Sequence, residues 1–169
     1  MNALRAVLLL SCLSPAAPAA AQQGAPALRA DLAALTTCLR ESGRAPTACI
    51  GTVAVACVRA ASSDPQRAEA PCARREEAVW RERLTLALQI SARRFDAGQR
   101  SRLAALQLAW EGYVAQKCAF YAAAQREAVQ AGRQAGCELR EVAERAIELA
   151  KALPQGEQRR PSSPPQIIR

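Results

Sequence analysis

Six cysteines constrain this chain more than any other feature. They fall at Cys38, Cys49, Cys57, Cys72, Cys118 and Cys137, and a seventh, Cys12, lies in a segment that reads as a removable leader. Arg5 gives that segment a short positive region, Ala6 to Leu10 an apolar one, and Ser14 to Ala21 a small-residue one. Ala19-Ala20-Ala21 before Gln22 fits a small-x-small cleavage site, so residues 1–21 are expected to be a signal peptide. A second reading takes Leu9-Leu10-Ser11-Cys12 as a lipoprotein box that leaves Cys12 lipidated, although the apolar run before it is short for that. A cytosolic N-terminal helix would leave Leu8 to Leu10 exposed beside Pro15 and Pro18. Export to the periplasm or beyond puts the six remaining cysteines in an oxidising compartment. There an even number reads as three disulfides.

The composition says what those disulfides hold. Ala, Leu, Arg, Glu and Gln dominate, aromatics make up only 4%, and no long β-branched run occurs. Such a chain favours helix over strand. Many of its apolar residues are Ala, so the core is thin and cross-links matter. No stretch after the leader reaches the ~20 apolar residues needed to span a bilayer.

Apolar periodicity predicts five helices. The first runs from about Pro26 to Ser42, with Leu28, Leu32, Leu35 and Leu39 on one face and Gly43 as its stop. The second runs from Thr47 to about Ala61 with Ile50, Val53, Ala54, Cys57 and Val58 at helical spacing. The third starts at Pro71, a residue suited to a first turn, and its stripe is Cys72, Val79, Trp80, Leu84, Ala87, Leu88 and Phe95. Asp96 is placed to cap the fourth, with Gln99 reaching back. That helix extends from about Gln99 to Ala131, carrying Leu103, Leu106, Trp110, Tyr113, Val114 and Tyr121. Gly132 and Gly136 are expected to bracket a break before the last stripe, Leu139, Val142, Ala143, Ala146, Leu149, Ala150 and Leu153. Pro154 stops it, and the Pro- and Ser-rich residues 154–169 read as a disordered tail.

Short loops between such helices imply an all-α, antiparallel bundle stapled by disulfides. Sequence alone does not fix the connectivity. Cys49 and Cys57 would lie ~12 Å apart along one helix, too far to bond. Neighbouring cysteines flank successive loops, which favours Cys38–Cys49, Cys57–Cys72 and Cys118–Cys137.

The residue types present also limit the chemistry. The chain has no histidine, which excludes Ser-His-acid and Cys-His nucleophilic schemes and removes the commonest transition-metal ligand. No Cys-x-x-Cys pair and no glycine-rich phosphate loop occurs. Carboxylates cluster at Glu76-Glu77 and over Glu138, Glu141, Glu144 and Glu148, but with Arg neighbours at i+3 or i+4, such as Arg145 after Glu141. They read as a salt-bridged helix face rather than a catalytic pair. Trp80, Trp110 and Tyr113 read as core before a ligand-stacking site. No catalytic residue, metal or cofactor is expected.

The net charge is +8. Residues 1–21 hold one Arg and no acid, so without them 22 basic residues stand against 15 acidic ones, a charge of +7. The charges are interspersed, as in Arg74-Arg75-Glu76-Glu77, with no basic run carrying aromatics, which argues against a nucleic-acid partner.

At these residues the chain resembles the bacterial envelope proteins with an LprI-type, lysozyme-inhibitor-like domain. Their pattern is carried by Cys72, Glu76, Trp80 and Leu84 on one long helix. It continues with Gln107-Leu-Ala-Trp110, Tyr113 and Cys118 on the next, then Gly132, Gly136, Cys137 and Arg145. The likeness covers residues 72 to 153. The helices of residues 22–71 are similar to an N-terminal extension of some members, with Cys49-Ile-Gly-Thr and Cys57. The family tends to carry Asp after that Trp, Asn after that Leu, and Arg-Asp before the later Cys. This chain has Arg81, Thr85 and Val114-Ala115 there.

The resemblance implies an exported, non-enzymatic envelope protein whose partner is a lysozyme or another envelope protein. Lysozymes of the common animal type are basic, so inhibition would need a local acidic patch, for which Glu76, Glu77 and Glu82 are the candidates. The alternative is a structural module whose basic surface touches peptidoglycan or anionic envelope surfaces. The oligomeric state is left open.

Overall fold

A computed structural model describes residues 20–43 and 45–152. Residues 1–19, with Cys12 and most of the expected signal peptide, and residues 153–169, with Leu153, Pro154 and the expected tail, lie outside the described residues. Among the described residues there are five α-helices and no strand. They are α1 (Ala20–Glu41), α2 (Thr52–Ala60), α3 (Pro65–Arg94), α4 (Ala97–Ala123) and α5 (Glu127–Ala152), with a 3-10 turn at Pro46–Cys49 before α2. The all-α, disulfide-stapled bundle expected from the sequence is the observed architecture.

The centre of the bundle is the pair α3 and α5, which run parallel: Gln66 meets Ala128, Glu69 faces Gly132 and Arg74 reaches Glu138. Helix α2 lies on α3, α4 lies on α5, and α1 closes the side against α3 and α2. The core joins Val79, Trp80, Leu84 and Ala87 of α3 to Ala135, Leu139, Val142, Ala143 and Ala146 of α5, with Leu35 entering from α1. On α5 the expected stripe holds at Leu139, Val142, Ala143, Ala146 and Leu149, while Ala150 is exposed and Ile147 joins the buried face.

Several boundaries differ from expectation. Helix α1 spans Ala20–Glu41 rather than starting at Pro26. Helix α3 starts at Pro65, where the Asp64 side chain accepts the Arg67 N–H at 3.0 Å, so Pro71 sits inside the helix. Asp at N-cap followed by Pro is the stronger start signal. The expected helix from Thr47 to Ala61 is split at Gly51, whose φ of 102° lies in the left-handed region. The Gly132–Gly136 break is not formed. The chain turns at 124–126 instead, and both glycines lie within α5. A Cβ on Gly132 would fall 3.0 Å from Glu69 Cβ, so this glycine lets α5 approach α3 closely. The Asp96 capping box forms as expected, with Gln99 N–H on Asp96 Oδ1 at 2.8 Å and Asp96 N–H on Gln99 Oε1 at 3.1 Å.

Helix α4 packs chiefly on α5 and so buries only a narrow stripe, Val114, Cys118 and Ala122 at i, i+4 and i+8. Leu106, Tyr113 and Tyr121, expected on its inner face, are 62%, 57% and 58% exposed. Phe95, expected on the α3 stripe, is the C-cap residue and also faces solvent.

The disulfides are Cys38–Cys49, Cys57–Cys72 and Cys118–Cys137. Each staples one turn of the chain: α1 to the 3-10 turn, α2 to α3, and α4 to α5. The separations are 11, 15 and 19 residues, and in the chain-entropy model each such loop stabilises by about 3 kcal/mol.

Candidate functional site

The residues singled out by sequence separate into a buried scaffold and a solvent face. Glu76 belongs to the scaffold and is fully buried. Its Oε1 accepts the Gly51 N–H at 2.6 Å and the Trp80 Nε1–H at 3.0 Å. Its Oε2 accepts the Val53 and Ala54 N–H groups at 2.8 and 2.7 Å. Helix α2 has no side-chain cap of its own, so Glu76 serves as a cap reaching in from α3. A carboxylate there satisfies orphan amides and faces the positive end of the helix dipole. Gly51 is what lets the backbone turn so that these amides converge.

Trp80, only 1% exposed, packs in the core one turn after Glu76, and Leu84 follows on the same face. Trp110 is half-buried against the core, with the Arg145 guanidinium 5.9 Å from its ring centre. Tyr113 stands outside, 5.6 Å from the Lys117 ammonium. The three aromatics therefore have three different surroundings. The ring pair found among the described residues is Phe120–Tyr121.

The other acids are mostly tied to arginines. Glu77 receives Arg74 and Arg81, each at 2.7 Å, and Arg74 also reaches Glu138 on α5. Gln134 donates to Glu138 as well, at 2.9 Å. The hydrogen bond it donates to Glu138 holds the Arg74 guanidinium above its ordinary pKa, against an opposing effect of burial. For Glu138 burial is the largest influence and acts upward. The hydrogen bonds from Arg74 and Gln134, with the charges of Arg74 and Arg81, outweigh it and leave the carboxyl below its usual range. Asp31 of α1 takes Arg75 through two bonds of 2.6 and 2.7 Å, a fork geometry that fixes α1 on α3. Glu141 pairs with Lys117 at 2.7 Å rather than with Arg145, which pairs with Glu148 at 2.9 Å. The bond to Glu141 raises the Lys117 pKa.

Three positions that depart from the LprI-type pattern, Arg81, Val114 and Ala115, line one small cleft of about 170 Å³ with Trp110, Glu111 and Glu138. Sequence gave no sign that they converge.

The larger concavity is a groove of about 830 Å³ over α3, between α2 and α5, with Lys117 and Tyr121 of α4 at one edge. Ile50, Ala54, Val55, Val58 and Leu139 give it an apolar floor. Arg59, Arg133 and Arg140 stand around it, all exposed. None of the three forms an ion pair among the described residues, and Lys117, the fourth cation, is engaged by Glu141. Arg133, Gly136, Cys137 and Arg140 follow i, i+3, i+4, i+7 spacing, so they share one face of α5. Sequence reasoning missed this trio because each Arg stands alone, separated by polar and small residues. The visible signal was the repeat Arg133…Arg140 on the glycine-bearing side of the last helix.

Among the described residues no three His, Cys, Asp or Glu side chains gather into a group that could hold a metal ion. Nor is any described helix long and apolar enough to cross a membrane. The arrangement suits recognition of an anionic group beside an apolar surface. Comparison with protein-family models, curated proteins and solved structures finds no match to this chain.

Proposed function

We propose that this chain is an exported, non-enzymatic binding protein of the bacterial envelope, periplasmic or secreted, whose binding face is the α2/α5 groove and whose partner is anionic. The observation that carries the reading is the trio Arg59, Arg133 and Arg140, guanidiniums around an apolar concavity that form no ion pair among the described residues. Three disulfides support an oxidising compartment. The LprI-type resemblance belongs to the same proposal, and it supports the envelope setting more than it supports a lysozyme as partner. Of the three acids available for meeting a basic lysozyme, Glu76 is buried as a cap and Glu77 is held by two arginines, which leaves Glu82. The basic groove favours peptidoglycan or another anionic envelope surface instead.

The test is co-sedimentation of the purified, disulfide-intact protein with cell-wall sacculi and capture from envelope extract, each at low and high salt. Saturable, salt-sensitive binding that weakens in the double variant Arg133→Gln, Arg140→Gln supports the reading. Binding indifferent to both salt and that variant sinks it. A lysis assay addresses the lysozyme variant, which fails if cell-wall lysis proceeds at full rate under micromolar excess of the protein.

A further inference from the structure

The geometry points to a particular ligand for the α2/α5 groove: a single-chain anionic amphiphile, an acyl or alkyl chain ending in a carboxylate or phosphate. The inference rests on the proposed binding role and narrows it. About 830 Å³ falls within the range of small-molecule sites, ~300–1,000 Å³. That favours a small molecule over a folded partner.

The lining has two chemistries. The floor of Ile50, Ala54, Val55, Val58 and Leu139 offers an apolar track without hydrogen-bonding side chains. Gly132 and Gly136 on the α5 side add no side-chain bulk to it. The rim places Arg59 at the C-terminal end of α2 and Arg133 and Arg140 on α5, against two lining acids, Glu69 and Glu141, the second already neutralised by Lys117. A planar guanidinium takes a carboxylate or phosphate through paired N–H donors. A free anion would gain nothing from the floor, and a neutral chain nothing from the rim. An amphiphile uses both. The floor is concave and flanked by helices, so a chain must leave a bilayer to reach it. The occupant is therefore a monomeric amphiphile and not a membrane surface.

The experiment is calorimetric titration of the intact protein, with amide NMR shifts as the local readout. The probes are alkanoates and alkyl phosphates of increasing chain length below their micellar concentrations, a neutral alkyl glycoside of matched chain, inorganic phosphate, and vesicles of anionic phospholipid. Expected are one saturable site, a gain of about two- to fourfold in affinity per added methylene until the groove is full, and shifts at Ala54, Val58 and Gly136. The charge-reversed pair Arg133→Glu, Arg140→Glu should weaken binding at least tenfold. Val58→Trp should block the chain while leaving the rim intact. Whether carboxylate or phosphate binds tighter identifies the head group.

Equal binding of the neutral glycoside overturns the anionic head, and equal binding of inorganic phosphate overturns the chain. Binding to vesicles without binding to monomeric amphiphiles overturns the groove as a single-chain site. If amphiphiles fail while sacculi still bind through Arg133 and Arg140, this inference falls and the envelope-binding reading stands. If both fail, both fall.

Discussion

Removing the Glu76 carboxylate tests whether this fold depends on a cap supplied from another helix. In Glu76→Ala, the Gly51, Val53 and Ala54 amides and the Trp80 indole lose their acceptor at once. Loss of a helix cap costs about 1–2 kcal/mol. An orphaned donor such as Trp80 Nε1, in a residue only 1% exposed, costs a further ~1–3 kcal/mol. The emptied space adds about 1 kcal/mol more, since the site is fully enclosed. These effects overlap, because α2 has only nine residues and will fray before all the penalties accumulate. We expect a loss of about 4 kcal/mol, within the upper tail of single substitutions. Glu76→Gln is a sharper variant. Each carboxylate oxygen serves two donors, so whichever becomes the amide nitrogen faces two N–H groups. About half the loss should remain. The assay is equilibrium urea unfolding with disulfides intact, followed by far-UV circular dichroism and tryptophan fluorescence, with Glu82→Ala as an exposed control expected within ~0.5 kcal/mol of the parent. Hydrogen exchange at Gly51, Val53 and Ala54 should accelerate in both Glu76 variants. A loss below about 1 kcal/mol with those amides still protected would refute the role assigned to Glu76.

Three further outcomes follow from the same geometry. Gly132→Ala should destabilise by about 1–3 kcal/mol in thermal unfolding, because the new Cβ meets Glu69 Cβ at 3.0 Å, whereas Gly136→Ala, with open space around its Cβ, should stabilise by ~0.5–1 kcal/mol. Replacing Cys118 and Cys137 by Ser should remove roughly 3 kcal/mol, read as a lower urea midpoint, and peptide mapping under non-reducing conditions should recover all three pairs. Glu138 has its pKa depressed on folding, so the stability it contributes is present above the usual glutamate range and is lost as pH falls through the folded value. Arg74→Ala should flatten this acid limb of the stability–pH curve, by less than about 1 kcal/mol because Arg74 is 47% exposed.

The parts of the fold legible in the sequence are those governed by local periodicity. Leu28, Leu32, Leu35 and Leu39 mark the inner face of α1, and Leu139, Val142, Ala143 and Ala146 that of α5. The disulfides were legible because each pair of neighbouring cysteines sits beside one chain reversal. What failed was punctuation. Gly132 reads as a breaker, but here it removes a side chain from a helix–helix contact with Glu69, a fact about α3 that α5 does not encode. Gly51 sits within a helical pattern that continues across it, so its left-handed backbone left no trace in the spacing. Glu76 reads as one more surface acid, because its main partners are backbone amides 22 to 25 residues upstream with no side-chain signature. Only its i, i+4 relation to Trp80 was local.

That role for Glu76 changes what the LprI-type resemblance can carry. Most of its motif residues are occupied by architecture. Glu76 caps α2, Trp80 and Leu84 fill the core, the cysteines join helices, and Arg145 covers Trp110. A pattern built from such residues recurs wherever this packing recurs, whatever the partner is. The positions free to choose a partner are solvent-facing, lack internal partners and border a concavity. Among the described residues Arg59, Arg133 and Arg140 meet all three conditions, and none belongs to the motif. Two chains with this scaffold and different residues at these three positions should therefore share a fold and differ in ligand. Charge reversal at Arg133 and Arg140 should accordingly abolish anion binding while leaving the urea midpoint within the range of neutral surface substitutions, ~0.5 kcal/mol. A parallel fall in stability would mean that these arginines belong to the scaffold after all.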